Sequence, residues 1–384
     1  LALVSLARTR EISLDTPFAD IADPLFTNAW SEHSPVTLAQ LLEHTAGFTG
    51  TSKAEFDFND PGDVPLASTL ARYRSRHETA WPPGRFHSYS NLGYAYAGRA
   101  IERLSGLAYE DYMQQAVLNP LAMHDSGFFV SADECGRLVA GYDRDGFTPI
   151  PYWHMVYRPF GGLNTTPRDM ARFLRTLIGD GVLDGTRVVR EAVIQRTRQP
   201  QTSLAAPARL ASGYGAGAYS WFRGGTRFYG HGGDADGYLS RYGYTQRNAS
   251  GYFLVVNAFK SAALNAMRQA VESYLIRDLP AVSVPAIHAL NQPRITALLG
   301  DYLPQTRRFG DVSDARKMTI IREDSRLYTL FGNRKRPLIP VSDRRFRRPG
   351  QPLATSTIVD DDGERYFIGP EGAFRRQSRE SRDK

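Results

Sequence analysis

Cysteine is almost absent. The 384 residues hold one, Cys135, so the chain can form no internal disulfide and no thiolate metal site. The eight histidines form no HxxxH or HExxH pair. No metal is therefore expected, and nothing in the sequence calls for a cofactor. Apolar runs are short: none approaches the ~18–20 residues a helix needs to cross a bilayer. Charge of one sign is scarce too, since 47 basic against 40 acidic residues leave only +7. Most of that excess lies after residue 300, where 19 Lys and Arg face 13 Asp and Glu (+6), so the first 300 residues are almost neutral. What is there, 42% hydrophobic and 23% charged residues, is an ordinary globular composition and excludes a disordered or fibrous chain. At ~150 residues per domain the length suggests two or three domains.

The basic excess clusters at Arg334, Lys335, Arg336, Arg344, Arg345, Arg347 and Arg348. Such a cluster can bind phosphate. No zinc finger, helix-turn-helix or aromatic stacking motif accompanies it, so a solvated hairpin face is expected and nucleic acid is not an expected partner.

The first 278 residues read as mixed α and β. Thr37-Leu38-Ala39-Gln40 is a capping box that opens a short helix ending near Gly47. Residues 50–85 read mostly as loop. Helical spacing runs from Asn91 to Leu104, through Leu92, Ala95, Tyr96 and Ile101, with Gly106 as the stop. A further helix spans about Tyr109 to Val117. Thr166-Pro167-Arg168-Asp169 starts another, with Met170, Phe173, Leu174 and Leu177 on its apolar face. Aromatic and β-branched runs at Tyr214–Trp221, Thr226–Tyr229, Tyr238–Tyr244 and Tyr252–Val256 read as consecutive antiparallel strands. A helix from Ala262 to about Asp278 follows, with Leu264, Met267, Val271 and Leu275 on one face. Residues 280–286, with two prolines, read as a linker. Beyond them a short helix (Arg294–Leu299) and strand-like runs at Met318–Ile321, Leu327–Leu330, Pro337–Pro340, Ala354–Val359 and Tyr366–Ile368 suggest a small antiparallel barrel. The expected division is 1–279, a linker at 280–286, and 287–384. The fold class is α+β: an antiparallel sheet flanked by helices, plus the C-terminal β-barrel.

Three motifs could carry chemistry, and each has a plain structural reading. Leu41-Leu42-Glu43-His44-Thr45-Ala46-Gly47-Phe48 could be a helix end, Tyr89-Ser90-Asn91 an N-cap, and Gly230-His231-Gly232-Gly233 a Gly-rich hairpin. Their order changes the reading. Taken with Gly161-Gly162-Leu163 before a Thr-capped helix and Gly237-Tyr238 after the histidine, they resemble the penicillin-recognising serine hydrolases: class C β-lactamases, D-alanyl-D-alanine carboxypeptidases, D-aminopeptidases and related esterases. The likeness covers roughly Leu1 to Asp278. Residues beyond it more loosely resemble the β-barrel appended to D-aminopeptidase-like members.

The resemblance implies a Ser-x-x-Lys nucleophile at the start of a buried helix. The only match, Ser381-Arg382-Asp383-Lys384, sits in a charged tail and reads as chance. Leu1–Ala7 and Leu14-Asp15-Thr16-Pro17 match the helix and turn that follow the nucleophile. The serine is therefore expected within about two helical turns, ~3.6 residues each, before Leu1, and the chain is expected to be a fragment that lacks a core helix and folds poorly alone. By the same resemblance Tyr89 would take the nucleophile's proton. A phenol titrates near 10, so Tyr89 would need nearby cations, and His231 could be one. Asn91 would bond a substrate amide carbonyl, Gly233 would let substrate approach the strand edge, and the Asp234 N–H would form half of an oxyanion hole. Tyr89, Asn91 and His231 are expected to share one cleft.

The expected activity is serine acyl transfer of D-peptidase, D-aminopeptidase or esterase type on a small molecule or short peptide, with residues 1–384 themselves inactive. The alternative is a non-catalytic relative that binds peptides or cell-wall fragments. A minor reading is an anionic-polymer binder. The resemblance favours a periplasmic or extracellular location. Oligomeric state is not legible.

Overall fold

The computed structural model describes residues 1–22, 25–30, 32–129, 136–306 and 317–377. Ser381 and Lys384 lie outside them, as does Cys135. Helix α1 (Ala2–Thr9) buries Ala2, Leu3, Val4, Leu6 and Ala7 against helix α5 (Asn91–Ser105). Helix α2 (Leu38–Leu42) is opened by the expected capping box: the Thr37 side chain accepts the Gln40 N–H, and Gln40 returns to the Thr37 N–H. Helix α5 buries Leu92, Ala95, Tyr96 and Ile101 and ends at Gly106 in the left-handed region. Each Leu- or Ile-sized side chain buried here contributes ~1.5–3 kcal/mol. Phe18, Phe26, Phe48 and Tyr96 close this core with stacked and edge-on ring pairs.

Residues 50–85 are less irregular than their composition suggests. They contain helices α3 (Lys53–Phe56) and α4 (Leu66–Tyr73). Ser52 and Glu55 form a second capping box around α3. Glu55 then anchors a buried polar network: its Oε1 lies 2.5 Å from His77 Nε2 and accepts the Tyr157 hydroxyl at 2.6 Å. His77 Nδ1 meets the Tyr96 hydroxyl at 2.6 Å, and that hydroxyl donates to the Leu25 carbonyl. Tyr96 has one proton and spends it on Leu25, so His77 Nδ1 must donate.

Helix α6 (Tyr109–Met113) runs on into a π turn over Gln114–Leu118. Helix α7 (Pro167–Ile178) is capped by Thr166, which accepts the Asp169 N–H. Helix α8 (Glu191–Arg198) buries Val193 and Ile194. Two ribbons of two-residue strands, β1 (Gly141–Tyr142) with β2 (Pro149–Ile150) and β3 (Val182–Leu183) with β4 (Thr186–Arg187), flank these elements.

A five-stranded antiparallel meander follows: β5 (Gly213–Tyr214), β6 (Tyr219–Arg223), β7 (Thr226–Ala235), β8 (Tyr238–Thr245) and β9 (Ser250–Val256). Successive side chains alternate between faces. The Tyr252 hydroxyl reaches Glu272 of helix α9 (Ser261–Ile276), while its neighbour Phe253 packs with Phe173 of α7, so helices cover both faces. Three expectations change. Tyr214–Trp221 is two strands, broken at Gly217 in the left-handed region. Met267 of α9 is 43% exposed, and the buried positions are Leu264 and Glu272. Glu272 is tolerated there because Trp221, Arg223 and Tyr252 all donate to it. The third change, at the Gly-rich stretch, belongs to the site.

Helix α10 (Gln292–Leu298) leads into a closed antiparallel barrel: β10 (Gly300–Pro304), β11 (Met318–Glu323), β12 (Arg326–Phe331), β13 (Arg334–Pro340), β14 (Arg345–Arg347), β15 (Ser356–Asp361), β16 (Glu364–Gly369) and β17 (Gly372–Arg376). Closure comes from β10, which pairs with both β11 and β17. Tyr302, Met318, Ile320, Phe346, Phe367 and Phe374 fill its core. The basic cluster is more than a solvated face. Lys335 pairs with Glu323, Arg344 with Asp360, and Arg336 and Arg348 share Glu371. Arg347 is buried and donates to the Pro285 carbonyl.

Candidate active site

Gly230-His231-Gly232-Gly233 lies inside β7 and not in a hairpin. Gly230 is a packing requirement. A Cβ on Gly230 would sit 2.0 Å from the Tyr242 carbonyl oxygen of β8. A Cβ on Gly232 would meet the Arg241 side chain at 2.7 Å, because Arg241 is its cross-strand partner. On the other side β6 stops early: its first residue, Tyr219, opposes Gly230. Among the described strands none pairs with residues 231–235 on that side. Every second amide of this stretch therefore faces an open edge.

His231 projects beside this edge. Its Nδ1 lies 2.7 Å from the Gly232 carbonyl oxygen. A carbonyl only accepts, so Nδ1 carries the proton and Nε2 holds the lone pair of the neutral ring. Burial keeps the imidazole pKa below its ordinary 6.5, although the bond to Gly232 works the other way. Near pH 7 the ring is thus neutral, and the expectation of a standing cation at His231 gives way to that of a hydrogen-bonding group. The standing cation nearby is Arg241, which donates to Asp234 Oδ1 at 2.5 Å and to the carbonyls of Ser240 and Gly233. The same contact holds the Asp234 carboxylate on Arg241.

Tyr89 reaches His231 from the helical half, with ring centroids 6.1 Å apart. It stands two residues before α5, in an extended segment pinned to the α2 loop. The Ser88 N–H donates to the His44 carbonyl at 2.8 Å, and the Ser90 N–H reaches His44 Nδ1 at 3.1 Å. His44 itself has a left-handed backbone (φ 56°), which places its ring 4.1 Å from that of Tyr89. Glu43 fixes this loop by accepting the N–H groups of Gln201 and Thr202 and pairing with Arg196. Tyr214 and Tyr219 complete the aromatic wall, 5.7 and 5.5 Å from His231. Burial pushes the Tyr214 phenol well above 10, reinforced by neighbouring Tyr94 and Tyr89. Asn91 opens α5 two residues after Tyr89, and Gly233 and Asp234 follow His231 on the open edge. Sequence reading missed Arg241 and Tyr214 as site residues. Arg241 could have been found only through the β7–β8 register.

Residues 1–275 match the Beta-lactamase family. The chain belongs to this family. It is a member of the penicillin-recognising serine hydrolase superfamily. Penicillin-binding protein 4 of Amycolatopsis lactamdurans is 33% identical over 254 residues, 62% of this chain and 64% of that protein. The D-alanyl-D-alanine-carboxypeptidase/endopeptidase AmpH of Escherichia coli K12 is 25% identical over 173 residues, 45% of this chain and 44% of that one. The chain spans less than two thirds of the length of these relatives. Among solved structures, the octameric penicillin-binding protein homologue of Pyrococcus abyssi superposes with a TM-score of 0.56 at 20% identity, over 98% of this chain and 85% of its own. That likeness extends the shared fold through the barrel. No helix among the described residues is long and apolar enough to cross a membrane.

Proposed function

We propose that this β-lactamase-family fold serves acyl transfer at an ester or amide of D-peptidase, D-aminopeptidase or esterase type. The carrying observation is the Tyr89–His231 ring pair beside the open edge of residues 231–235. Substrate backbone lies along that edge, where strand amides bond it as another strand would. The Asp234 N–H supplies one oxyanion donor, and Asn91 holds a substrate carbonyl. Tyr89 takes the nucleophile's proton as its own hydroxyl proton passes to the Nε2 lone pair of neutral His231. The nucleophile is a Ser-x-x-Lys serine from outside these 384 residues, which contain no such motif other than 381–384. The family likeness suits a periplasmic or extracellular protein that meets peptides or cell-wall fragments. The absence of the motif also favours a second reading, a non-catalytic binder of such fragments.

One experiment separates the two. Residues 1–384 and the chain extended upstream in its own reading frame are each treated with a fluorescent penicillin, a D-alanine p-nitroanilide and a p-nitrophenyl ester. The extended chain is expected to be labelled and to turn over. Loss of the nucleophile costs on the order of 10⁶ in rate, so residues 1–384 are expected to do neither. Stoichiometric labelling of residues 1–384 would overturn the proposed nucleophile. An unlabelled extended chain that still binds the peptide would favour the binder.

A further inference from the structure

The segment that delivers Tyr89 is held from two directions. The helical half holds it through the Gly84 N–H on the Thr45 carbonyl and the Ser88 N–H on the His44 carbonyl, both at 2.8 Å. The barrel holds it from the other side. Arg85 donates to Asp362 Oδ2 at 3.0 Å in the β15–β16 turn, pairs with Asp361 at the end of β15, and lies 3.4 Å from the Tyr366 hydroxyl. Next to it, Phe86 is buried against Tyr366, with ring centroids 5.3 Å apart, in a cluster that joins Ala205 to Ile368 and Ala373 of the barrel. A second contact lands just before Tyr214: the Ala211 N–H donates to the Ala354 carbonyl at 2.8 Å, and Ser212 Oγ to the Thr355 carbonyl at 3.1 Å. The barrel thus grips the segments that deliver Tyr89 and Tyr214 to His231.

We propose that the barrel is a positioning element of the site, with Arg85 as its positioning residue: the Arg85–Asp361/Asp362 clasp and the Ala354–Ala211 hydrogen bond set where Tyr89 and Tyr214 stand against His231. The clasp is poorly explained as a stability device, because part-exposed ion pairs contribute little and the Asp362 side chain is 79% exposed. Its placement four residues before Tyr89 gives it leverage on the ring instead. The inference rests on Tyr89 and His231 forming the site, yet its test needs no turnover.

The test is a pH titration of His231 by NMR in the full 384-residue chain labelled at histidine Cε1. The signal is assigned by its loss in His231→Gln. In the wild type the midpoint is expected below 6.5, because burial disfavours the charged ring. In Arg85→Gln, and in Asp361→Asn with Asp362→Asn, Tyr89 is released, water reaches His231, and the midpoint rises toward 6.5 while the melting temperature holds. Arg85→Lys is expected to fall between. Glu323→Gln, which breaks the Lys335–Glu323 pair between β13 and β11, is the control and leaves the midpoint in place. An unchanged midpoint in both clasp variants overturns the proposal. If Arg85→Gln fails to fold, the asparagine pair on the exposed turn decides alone. The acylation assay is independent: an inactive chain whose His231 midpoint shifts keeps this inference, and an active one without the shift loses it.

Discussion

His231 is a base whose proton affinity the fold has lowered, and that has a measurable consequence for stability. Above pH 6.5 the ring is neutral folded or unfolded, and its contribution is intact. As pH falls below 6.5 the unfolded ring takes its proton first. The folded state therefore loses stability until its own lower pKa is passed. Denaturant midpoints measured from pH 7 to pH 5 are expected to fall more steeply for the wild type than for His231→Gln; parallel curves would refute the burial argument. His77 is a histidine fully committed to partners. Replacing it with Ala strands Glu55 in the core, and removing one member of a buried pair costs about 3–5 kcal/mol. Urea unfolding of His77→Ala is expected to show a loss of that size, and a loss under about 1 kcal/mol would mean that Glu55 finds another partner. Neither role was legible in the sequence. His77 sits in a polar stretch that resembles loop, and the neutrality of His231 depends on what covers it.

Legibility changes from element to element for physical reasons. The caps at Thr37 and Thr166 were readable because the side chain bonds its own backbone three residues on. Thr166→Ala is accordingly expected to cost α7 about 1 kcal/mol, read as a shift in the unfolding midpoint. Helix α3 carried the same signal, Ser52-Lys53-Ala54-Glu55, but four residues cannot pay for their own nucleation, so the stretch reads as loop; the helix exists because Glu55 is held from above by His77 and Tyr157. The Gly-rich stretch misled for another reason. Glycine signals a turn when backbone freedom is needed, but Gly230 is needed because a carbonyl lies where its side chain would be. Gly230→Ala is therefore expected to destabilise by about 3 kcal/mol, measured by denaturant unfolding. A near-neutral result would mean that β7 and β8 can separate at this point without loss.

At the scale of the whole molecule, the seam through Phe86 joins the helical half to the barrel. Phe86→Ala removes a ring buried between them, and such truncations cost about 3–5 kcal/mol. Calorimetry is expected to resolve two transitions in Phe86→Ala where the wild type gives one; a single transition in both would show that the halves are coupled elsewhere. The barrel itself was visible in the sequence as alternating runs, but β10, β14 and β17 were not. Two of these are the strands that close it. That closure has a temporal side. Strand β10 ends at residue 304, and its partner β17 ends at residue 376, 72 residues later (376 − 304). At a ribosomal rate of ~5–20 residues per second, β10 waits about 4–14 s for its second neighbour. Through that interval a newborn chain shows the cell a bare strand edge, and the barrel that Arg85 clasps is still open.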